Sequence, residues 1–500
     1  MRVAFAYIGS EVLGIEFLSA ILKRQGHQVR LFYDPSLFDD RAIFSLPSLH
    51  RLFDVRHQMV ERLVDYDPDL VGFSVLTNTY RWALDVARSV KSRLTVPVIF
   101  GGVHPTVVPE SVIAQDAVDM INIGEGFESL PELVARIEAG KDIHRIDNLW
   151  VKDNGTVHRN QVRHAFQDLD ALPHPDKSVF AAYFDVGESY LTITGFGCPY
   201  HCTFCSNDLY LDLYGGKGRY IRRRSVKHVI DELRSAKSAH RIEVVKFADE
   251  IFTLNVRWLE EFSPAYRQEI GLPFIALAHP GHVNDKIGRL LAEAGCHRLE
   301  FGVQSVNEET KRQILNRPET KEELRKAFSI CEQYGIRYMI NHMFGVPTED
   351  ERHYREAVEF YSQFRPSRVG SFYLKYLPGT RINEIAVEHG VITRDDVNRF
   401  TSGYFATVHT DENIDGQQLK TFKCFETLNV LTPLVPRRVI AWLVRSRLLR
   451  RLYLVPSFVR TLLDFVGGLV HRDFDTRLFA KYYLRYVGKV ALVKLGLRRY

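Results

Sequence analysis

Short apolar runs alternate with amphipathic helical stretches along most of this 500-residue chain, and this rhythm constrains the fold more than any other feature. In the first third, apolar runs at residues 3–8, 29–33, 69–74, 96–100 and 118–123 are separated by helical patterns or loops. Strands that alternate with helices at this spacing pair as parallel sheets. We therefore predict a doubly wound, Rossmann- or flavodoxin-like α/β domain, whose ligands bind at the carboxyl ends of its strands.

The same rhythm returns from residue 190. Candidate strands lie at residues 190–194, 243–248, 273–278, 298–303, 337–343 and 369–375. Six strands with helical patterns between them predict a partial (βα)6 barrel that is open on one side. We divide the chain into a doubly wound domain at 1–140, a linker with a hairpin at 141–188, the partial barrel at 189–400, and a basic, mainly helical C-terminal region at 401–500.

Three cysteines follow the first barrel strand closely. Cys198, Cys202 and Cys205 have the spacing C-x3-C-x2-C. Thiolates bind iron–sulfur clusters, and three of them leave one iron of a four-iron cubane open to an outside ligand. The alternatives are three buried thiols or a structural zinc loop, which would need a fourth ligand such as His201. Because barrel enzymes place their chemistry at the carboxyl ends of strands, we predict a 4Fe-4S cluster here.

The remaining cysteines indicate a reducing compartment. Cys296, Cys331 and Cys424 are scattered in apolar contexts and form no disulfide framework. We expect a cytoplasmic protein. The N-terminus reads as a strand rather than a signal peptide, and the absence of any 18-residue uncharged apolar stretch predicts no membrane span.

The cysteine loop, with an aromatic residue before its last cysteine, resembles the radical S-adenosylmethionine (SAM) superfamily. In that family the open iron chelates the methionine part of SAM. The resemblance implies that Asp249 or Glu250 meets the SAM ammonium, that Glu300 lies near the ribose, and that a G-x-P turn contacts the adenine. The SAM contacts that it implies are Phe204, Asp249, Glu250, Glu300, Gln304, Ser305, Gly345 and Pro347.

The N-terminal third resembles the cobalamin-binding domain that precedes many radical SAM domains. The similarity rests on residues 72–74, 101–105 and 124–126. The cobalamin contacts that it implies are Ser10, Ser74, Thr77, Asn78, Gly101, Gly102, His104, Gly124 and Glu125. The alternatives are a loop role for His104, with its side chain satisfied by the backbone, and a flavodoxin-like domain that only positions substrate.

One departure from that family concerns the cobalt. Domains that bind cobalt through histidine carry D-x-H-x-x-G after the first strand, whereas residues 9–14 read Gly-Ser-Glu-Val-Leu-Gly. We therefore expect that no histidine of this turn ligates the cobalt. The loop at residues 76–78 is the candidate for facing the lower side of the corrin.

Positive charge is concentrated at the C-terminus. Residues 413–500 carry 17 Lys and Arg against 5 Asp and Glu, although the whole chain has a net charge of only +5. Residues 439–452 form an amphipathic, cationic pattern that is typical of helices in a membrane interface. The alternative is a helical lid on the barrel whose arginines face water. No recognisable RNA-binding module is present, and we expect no nucleic-acid partner.

Taken together, the two resemblances imply a cobalamin-dependent radical SAM enzyme that cleaves SAM reductively and methylates an unactivated carbon. An oxidative cyclase or ring-rearranging enzyme of pigment or lipid biosynthesis is one alternative, and a non-catalytic cobalamin or iron–sulfur sensor is another. The expected partners are a small-molecule or lipid substrate and an electron donor such as flavodoxin or ferredoxin. Peripheral contact with the inner membrane face is expected through the C-terminal region.

Overall fold

Two parallel sheets organise the molecule. The computed structural model describes residues 1–40, 44–45, 47–183, 188–404 and 416–495. The strands are β1 (Arg2–Ile8), β2 (Gln28–Asp34), β3 (Asp39–Asp40), β4 (Phe44–Ser45), β5 (Leu70–Ser74), β6 (Val98–Gly101), β7 (Met120–Asn122), β8 (Leu149–Asp153), β9 (Thr156–Arg159), β10 (Ser189–Thr192), β11 (Gly195–Phe196), β12 (Arg222–Arg223), β13 (Val244–Phe247), β14 (Phe274–Ala278), β15 (Cys296–Gln304), β16 (Arg337–Phe344) and β17 (Arg368–Tyr373).

The first sheet has the order β2-β1-β5-β6-β7-β8-β9, and its strands from β2 to β7 run parallel. Its helices are α1 (Leu13–Arg24), α2 (Pro47–Phe53), α3 (Arg56–Tyr66), α4 (Tyr80–Lys91), α5 (Val103–Val107), α6 (Pro109–Ile113), α7 (Ser129–Glu138) and α8 (Ser178–Ala181). The order changes direction between β1 and β5, which places a ligand crevice at the carboxyl ends of these two strands. The predicted doubly wound domain is confirmed.

The predicted hairpin belongs to this sheet. Strands β8 and β9 are joined by a turn in which Asn154 and Gly155 have φ angles of 47° and 79°. β8 pairs antiparallel with β7, so the hairpin extends the sheet instead of standing apart as a linker. The pairing satisfies the backbone groups that the edge of β7 would otherwise expose.

The second sheet has the order β10-β13-β14-β15-β16-β17, with every pair parallel. Its helices are α9 (Ser206–Leu213), α10 (Val226–Ala239), α11 (Val256–Glu269), α12 (Asp285–Ala294), α13 (Glu308–Gln313), α14 (Lys321–Gln333), α15 (Glu351–Tyr361), α16 (Ile382–Glu388) and α17 (Arg394–Thr401). The six predicted strands are therefore present, and β10 and β17 form the two edges of an open barrel. The largest core cluster lies between this sheet and its outer helices, with Phe247, Phe301 and Phe328 among its buried members.

The C-terminal region is helical and ties both sheets together. It comprises α18 (Gly416–Leu431), α19 (Arg437–Arg445), α20 (Ser457–Val470) and α21 (Phe474–Lys494). At the start of α21, Asp473 and Asp475 pair with the buried Arg298 of β15. Further along α21, Tyr486 and Val490 join the core of the first sheet. No helix among the described residues combines the length and the apolar character that crossing a bilayer requires.

Candidate functional site

The cysteine loop is held by the backbone of the barrel. Thr203, between the second and third cysteines, donates through its backbone N–H to the carbonyl of Leu315 at 3.1 Å and through Oγ1 to the carbonyl of Ile314 at 2.6 Å. Its own carbonyl accepts from the N–H of Ile382 at 2.9 Å. Gly197, just before the first cysteine, has a φ of 93°, and a Cβ there would lie 2.7 Å from the carbonyl oxygen of Tyr220. These contacts tie the cysteine loop to the barrel.

The three thiols suit a group larger than a single ion. Among the described residues, the three cysteine sulfurs do not all lie within 4.8 Å of one another, a separation that one metal ion could bridge. The ligand atoms of His144, Asp153 and His158 do form such a group. Burial raises the pKa of Cys198 to about 11 and also raises the pKa of Cys202 and Cys205. Neutral thiols become thiolate ligands when a cationic cluster is present, so the donor set fits a cluster.

A charged residue that the sequence analysis did not single out touches this loop. Arg317 is buried, and its Nη1 lies 3.8 Å from the sulfur of Cys202. Its Nη2 donates to the carbonyl of Gly302 at 2.7 Å, and its Nε donates to Oε1 of Glu319 at 2.7 Å. No sequence spacing relates residues 202 and 317, because they meet only when the turn after α13 folds over the mouth of the barrel.

Glu319 is the acidic centre of that network. Its carboxylate also lies 3.3 Å from Nε2 of His279 and 3.7 Å from Nζ of Lys311. Although burial opposes ionisation, the close contact with His279 and the nearby cations Arg317 and Lys311 hold the pKa of Glu319 at about 2. Ring stacking at 4.2 Å places His279 against Tyr200 of the cysteine loop. Through these contacts, the network connects the cysteine loop to the segment that follows β14.

Of the two acids after β13, only one is available. Asp249 is buried, and its carboxylate accepts from the N–H of Thr194 at 2.9 Å and from Oγ1 of Thr194 at 2.5 Å. Thr194 therefore occupies both carboxylate oxygens of Asp249, which is not free to bind the SAM ammonium. Burial raises the pKa of Glu250 to about 7, and the charge of Glu250 contributes to the raised pKa of Cys198 and Cys205. Glu250 is therefore the better candidate.

Glu300 has a partner other than the expected ribose. It lies 2.5 Å from Nη2 of Arg298, which in turn pairs with the first acids of α21. Further along β15, Gln304 has a φ of 63°, at a position where the pairing with β16 is irregular. The side chain of Ser305 donates to Oε1 of Glu349 at 2.5 Å. The bulge changes the direction of the end of β15. Glu300 remains paired with Arg298, nearer the N-terminal end of the strand.

The residues expected near the adenine do converge. Phe204 packs in one cluster with Met343, Val346 and Tyr376. Val346 is the middle residue of the G-x-P turn, in which Gly345 has a φ of 79°. The Tyr376 hydroxyl is buried without a hydrogen-bond partner in the described part of the chain. Phe204, Gly345 and Pro347 therefore lie on one wall of the site. The Tyr376 hydroxyl on this wall is free to hydrogen-bond to a ligand.

The predicted cobalamin residues divide into two groups. Ser10, Ser74, Gly101 and Gly102 lie at the carboxyl ends of β1, β5 and β6, and Asn78 is exposed in the turn after β5. Gly102 has a φ of 99°, and a Cβ there would lie 2.9 Å from the backbone N and O of Val75. This tight approach requires glycine.

Three other predicted residues have partners within the protein. His104 is 1% exposed, with its ring against Tyr80 and its Nδ1 3.2 Å from Oγ1 of the buried Thr77. Burial lowers the pKa of His104 to about 4, so its imidazole is neutral. It offers no surface to a ligand at the sheet edge. Glu125 is engaged by the barrel residue Arg222, with Oε2 3.0 Å from Nη1.

The carboxyl edges of the two sheets meet. A Cβ on Gly124 would lie 2.4 Å from the hydroxyl of Tyr214, which follows α9, and this hydroxyl accepts from the N–H of Glu125 at 2.8 Å. At a second contact, a Cβ on Gly379 would lie 2.6 Å from Cγ1 of Val107. A ligand at the edge of the first sheet would therefore face the mouth of the barrel.

Comparisons with known proteins agree with this geometry. Residues 192–361 match the family model of the radical SAM superfamily, and residues 5–134 match that of the B12 binding domain. An uncharacterized methyltransferase of Pyrococcus horikoshii is 25% identical over 396 residues, which cover 78% of this chain and 81% of the relative. An anaerobic magnesium-protoporphyrin IX monomethyl ester cyclase of Synechocystis is 24% identical over 350 residues, which cover 68% of each protein.

One solved structure has the same fold over nearly the whole chain. The cobalamin-dependent S-adenosylmethionine radical enzyme OxsB, with aqua-cobalamin bound, superposes with a TM-score of 0.68 at 15% identity and covers 98% of this chain and 84% of its own. The predicted fold class and both family resemblances are confirmed. The two matched domains imply a 4Fe-4S cluster, SAM and cobalamin as cofactors.

Proposed function

We propose that this chain, in which a B12-binding domain precedes a radical SAM domain, is a cobalamin-dependent radical SAM methyltransferase that acts on an unactivated carbon. The observation that carries this proposal is the meeting of the two carboxyl edges at Gly124 and Tyr214. A methyl donor held by the first sheet and a SAM molecule held by the barrel would then face the same substrate.

Each part of the barrel site has a task. Cys198, Cys202 and Cys205 hold the cluster and Glu250 accepts the SAM ammonium. Arg317, beside Cys202, binds the SAM carboxylate through the N–H groups that its bonds to Gly302 and Glu319 leave over. When bound, the cluster supplies the electron that cleaves SAM to methionine and a 5′-deoxyadenosyl radical, and cobalamin supplies the methyl group. The wall that contains Phe204 packs against the adenine and keeps water away. Of the other predicted SAM contacts, Gln304, Ser305, Gly345 and Pro347 stay in the proposed set.

Cobalamin would be held at the edge of the first sheet, where the turn at residues 9–14 offers no histidine to the cobalt. The proposed contacts are Ser10, Ser74, Asn78, Gly101, Gly102 and Gly124. Two observations support this set: these residues lie at strand ends or in the turn after β5, and the candidate histidine, His104, is buried against Tyr80. Glycine at these ends lets the backbone approach a large flat ligand closely.

The remaining assignments concern the cellular location and the partners of the enzyme. We place the enzyme in the reducing cytoplasm, with a small-molecule or lipid substrate and an electron donor such as flavodoxin or ferredoxin. Peripheral contact with the inner membrane face runs through the C-terminal region. The proposed division of the chain into regions at residues 140, 188 and 400 is unchanged, except that the hairpin belongs with the first sheet.

A second candidate function uses the same cofactors in a reaction that gives a different product. The similarity to a cyclase of Synechocystis favours an oxidative cyclisation as the alternative. The two reactions differ in product mass, because methyl transfer adds one CH2 and cyclisation removes hydrogen.

The test is an anaerobic assay on reconstituted full-length protein. We expect Cys198→Ala, Cys202→Ala and Cys205→Ala each to abolish the formation of 5′-deoxyadenosine from SAM. Cys424→Ala, which removes a thiol buried in α18, is the matched control and should retain activity. If the three loop variants still cleave SAM, the proposed cluster site is wrong. If a bound corrinoid never transfers its methyl group to any product, the methyltransferase assignment fails.

A further inference from the structure

Helix α20 is oriented against the usual rule for a surface helix. Five of its large apolar side chains are between 39% and 65% exposed and point outward, whereas Val459, Leu463 and Phe465 are half-buried; the five are Phe458, Leu462, Val466, Leu469 and Val470. Their spacing of four, four, three and one residues places them on one face of the helix. We call this face the α20 apolar face.

The opposite side of α20 packs on the protein through small and charged residues. Gly467 faces Leu434, with 3.6 Å between a Cβ built there and the Leu434 side chain, and Gly468 lies directly against Thr476. The buried Arg460 pairs with Glu426 of α18 at 3.4 Å, and Asp464 pairs with Arg368 of β17, the edge strand of the barrel. Polar and small residues thus face inward while large apolar residues face outward, so the face is built to meet an apolar phase.

The surroundings of the face are strongly basic. Six arginines of α19 and the turn after it are exposed and lie beyond 4.0 Å of any carboxylate in the described residues; they are Arg437, Arg438, Arg445, Arg447, Arg450 and Arg451. Exposed Trp442 and Leu448 lie among them in the sequence, and exposed Leu454 follows them. The one acid between residues 437 and 472 is Asp464, which is already paired.

We propose that the α20 apolar face, with the basic segment 437–451, docks on the surface of an anionic lipid bilayer. Aliphatic and aromatic side chains enter the acyl boundary, while the arginines pair with lipid phosphates. A second copy of the chain fits this surface less well, because self-association would bring unpaired arginines of two molecules together.

The docked position bears on the substrate. Because Asp464 of α20 binds Arg368 of β17, the docking helix flanks one edge of the open barrel. On the function proposed above, this geometry favours a substrate that resides in the bilayer and enters the barrel from that side. The docking itself is independent of catalysis and is tested without it.

The test measures binding of the full-length protein to vesicles by co-sedimentation. Vesicles of phosphatidylglycerol and phosphatidylcholine in equal parts should bind the protein, and pure phosphatidylcholine should bind it at least about tenfold more weakly. The double variant F458S/L462S should lose about tenfold or more in partition coefficient. Leu52→Ser, which removes another strongly exposed leucine on α2, is the matched control and should bind as the parent does.

A charge variant tests the second half of the surface. Arg447→Glu with Arg450→Glu should abolish the preference for anionic vesicles, whereas Arg241→Glu, at an exposed arginine of the barrel domain, should not. Cleavage of SAM with a soluble reductant should be unchanged in F458S/L462S, so a failure of the proposed chemistry would be seen separately. The proposal is overturned if the parent protein ignores anionic vesicles, or if light scattering shows a dimer that F458S/L462S dissociates.

Discussion

Glu125 and Arg222 join the two domains through a paired ion bridge in which Arg222 is almost completely buried. The guanidinium contacts both carboxylate oxygens, with 3.0 Å between Nη1 and Oε2, and it also binds the carbonyl of Phe166. Glu125 belongs to the carboxyl edge of the first sheet, and Arg222 belongs to the two-stranded ribbon beside the cysteine loop. The bridge therefore fixes the proposed cobalamin edge relative to the proposed cluster.

The first prediction concerns this bridge. Arg222→Ala should lower the free energy of unfolding by about 3 kcal/mol, because it leaves the partly buried carboxylate of Glu125 without its ion partner. Arg159→Ala breaks an equally close arginine–glutamate pair that is exposed to solvent, at Glu110, and should cost at most about 1 kcal/mol. Chemical denaturation of both variants measures the difference, and equal costs would show that the buried bridge contributes nothing special.

The second prediction concerns Gly102. A methyl group there would lie 2.9 Å from backbone atoms of Val75, and the φ of 99° is unfavourable for alanine. Gly102→Ala should therefore destabilise the protein by about 1–3 kcal/mol and weaken corrinoid binding. Gly14→Ala, in helix α1 with no neighbour within 4 Å, should be neutral or stabilise by up to about 1 kcal/mol. Thermal unfolding and a corrinoid titration check both results; an unchanged Gly102→Ala protein would contradict the tight approach.

The third prediction concerns the pH dependence of stability. The unfolded state protonates His104 near pH 6.5, whereas burial keeps the folded-state pKa at about 4. Stability should therefore fall as the pH is lowered below 6.5, and His104 alone should account for about 2 kcal/mol between pH 7 and pH 5. His104→Gln should lose less stability over this interval than the parent. The exposed His57→Gln should behave as the parent does, and identical pH profiles for His104→Gln and the parent would refute the assignment.

The fourth prediction concerns Arg317. Its guanidinium reaches the Cys202 sulfur, the Gly302 carbonyl and Glu319 at once, which the single ammonium of lysine cannot do. Arg317→Lys should raise the dissociation constant of SAM about tenfold or more while the protein still assembles its cluster. The exposed neighbour Arg312→Lys is the control and should bind SAM normally.

Calorimetric titration of SAM, together with the iron content of each variant, separates the two roles of Arg317. A normal SAM affinity in Arg317→Lys would remove this residue from the proposed SAM site. Loss of iron together with loss of affinity would instead indicate that Arg317 supports the cysteine loop.

Local pattern was sufficient for the architecture. The period of apolar residues marked both sheets, since the strand–helix alternation follows from which residues must be buried. The cysteine spacing and the glycine-rich strand ends are likewise local features, and they led to both matched domains. The hairpin turn at Asn154 and Gly155 was predicted from its two residues, but its place in the first sheet was not, because pairing with β7 depends on distant backbone.

Residue-level roles depended on contacts between distant segments. The sequence marked Asp249 and Glu250 equally, and the structure separates them because Thr194 occupies the carboxylate of Asp249. The sequence left His104 open between a cobalamin contact and a loop histidine satisfied by the backbone, and the structure buries its ring against Tyr80. The roles of the predicted SAM and cobalamin residues stay predictions. The contacts in the structure favour some of these residues over others.

The sequence by itself determined the two α/β units, the close spacing of the three loop cysteines and the basic character of the C-terminus, because each depends on local composition and spacing. Only the tertiary structure decided that Arg317 meets Cys202, that Glu125 meets Arg222, and that α20 turns its apolar side outward. The physical reason is the same in each case. A side chain's partner is set by which distant segment packs beside it, and packing is a property of the whole fold.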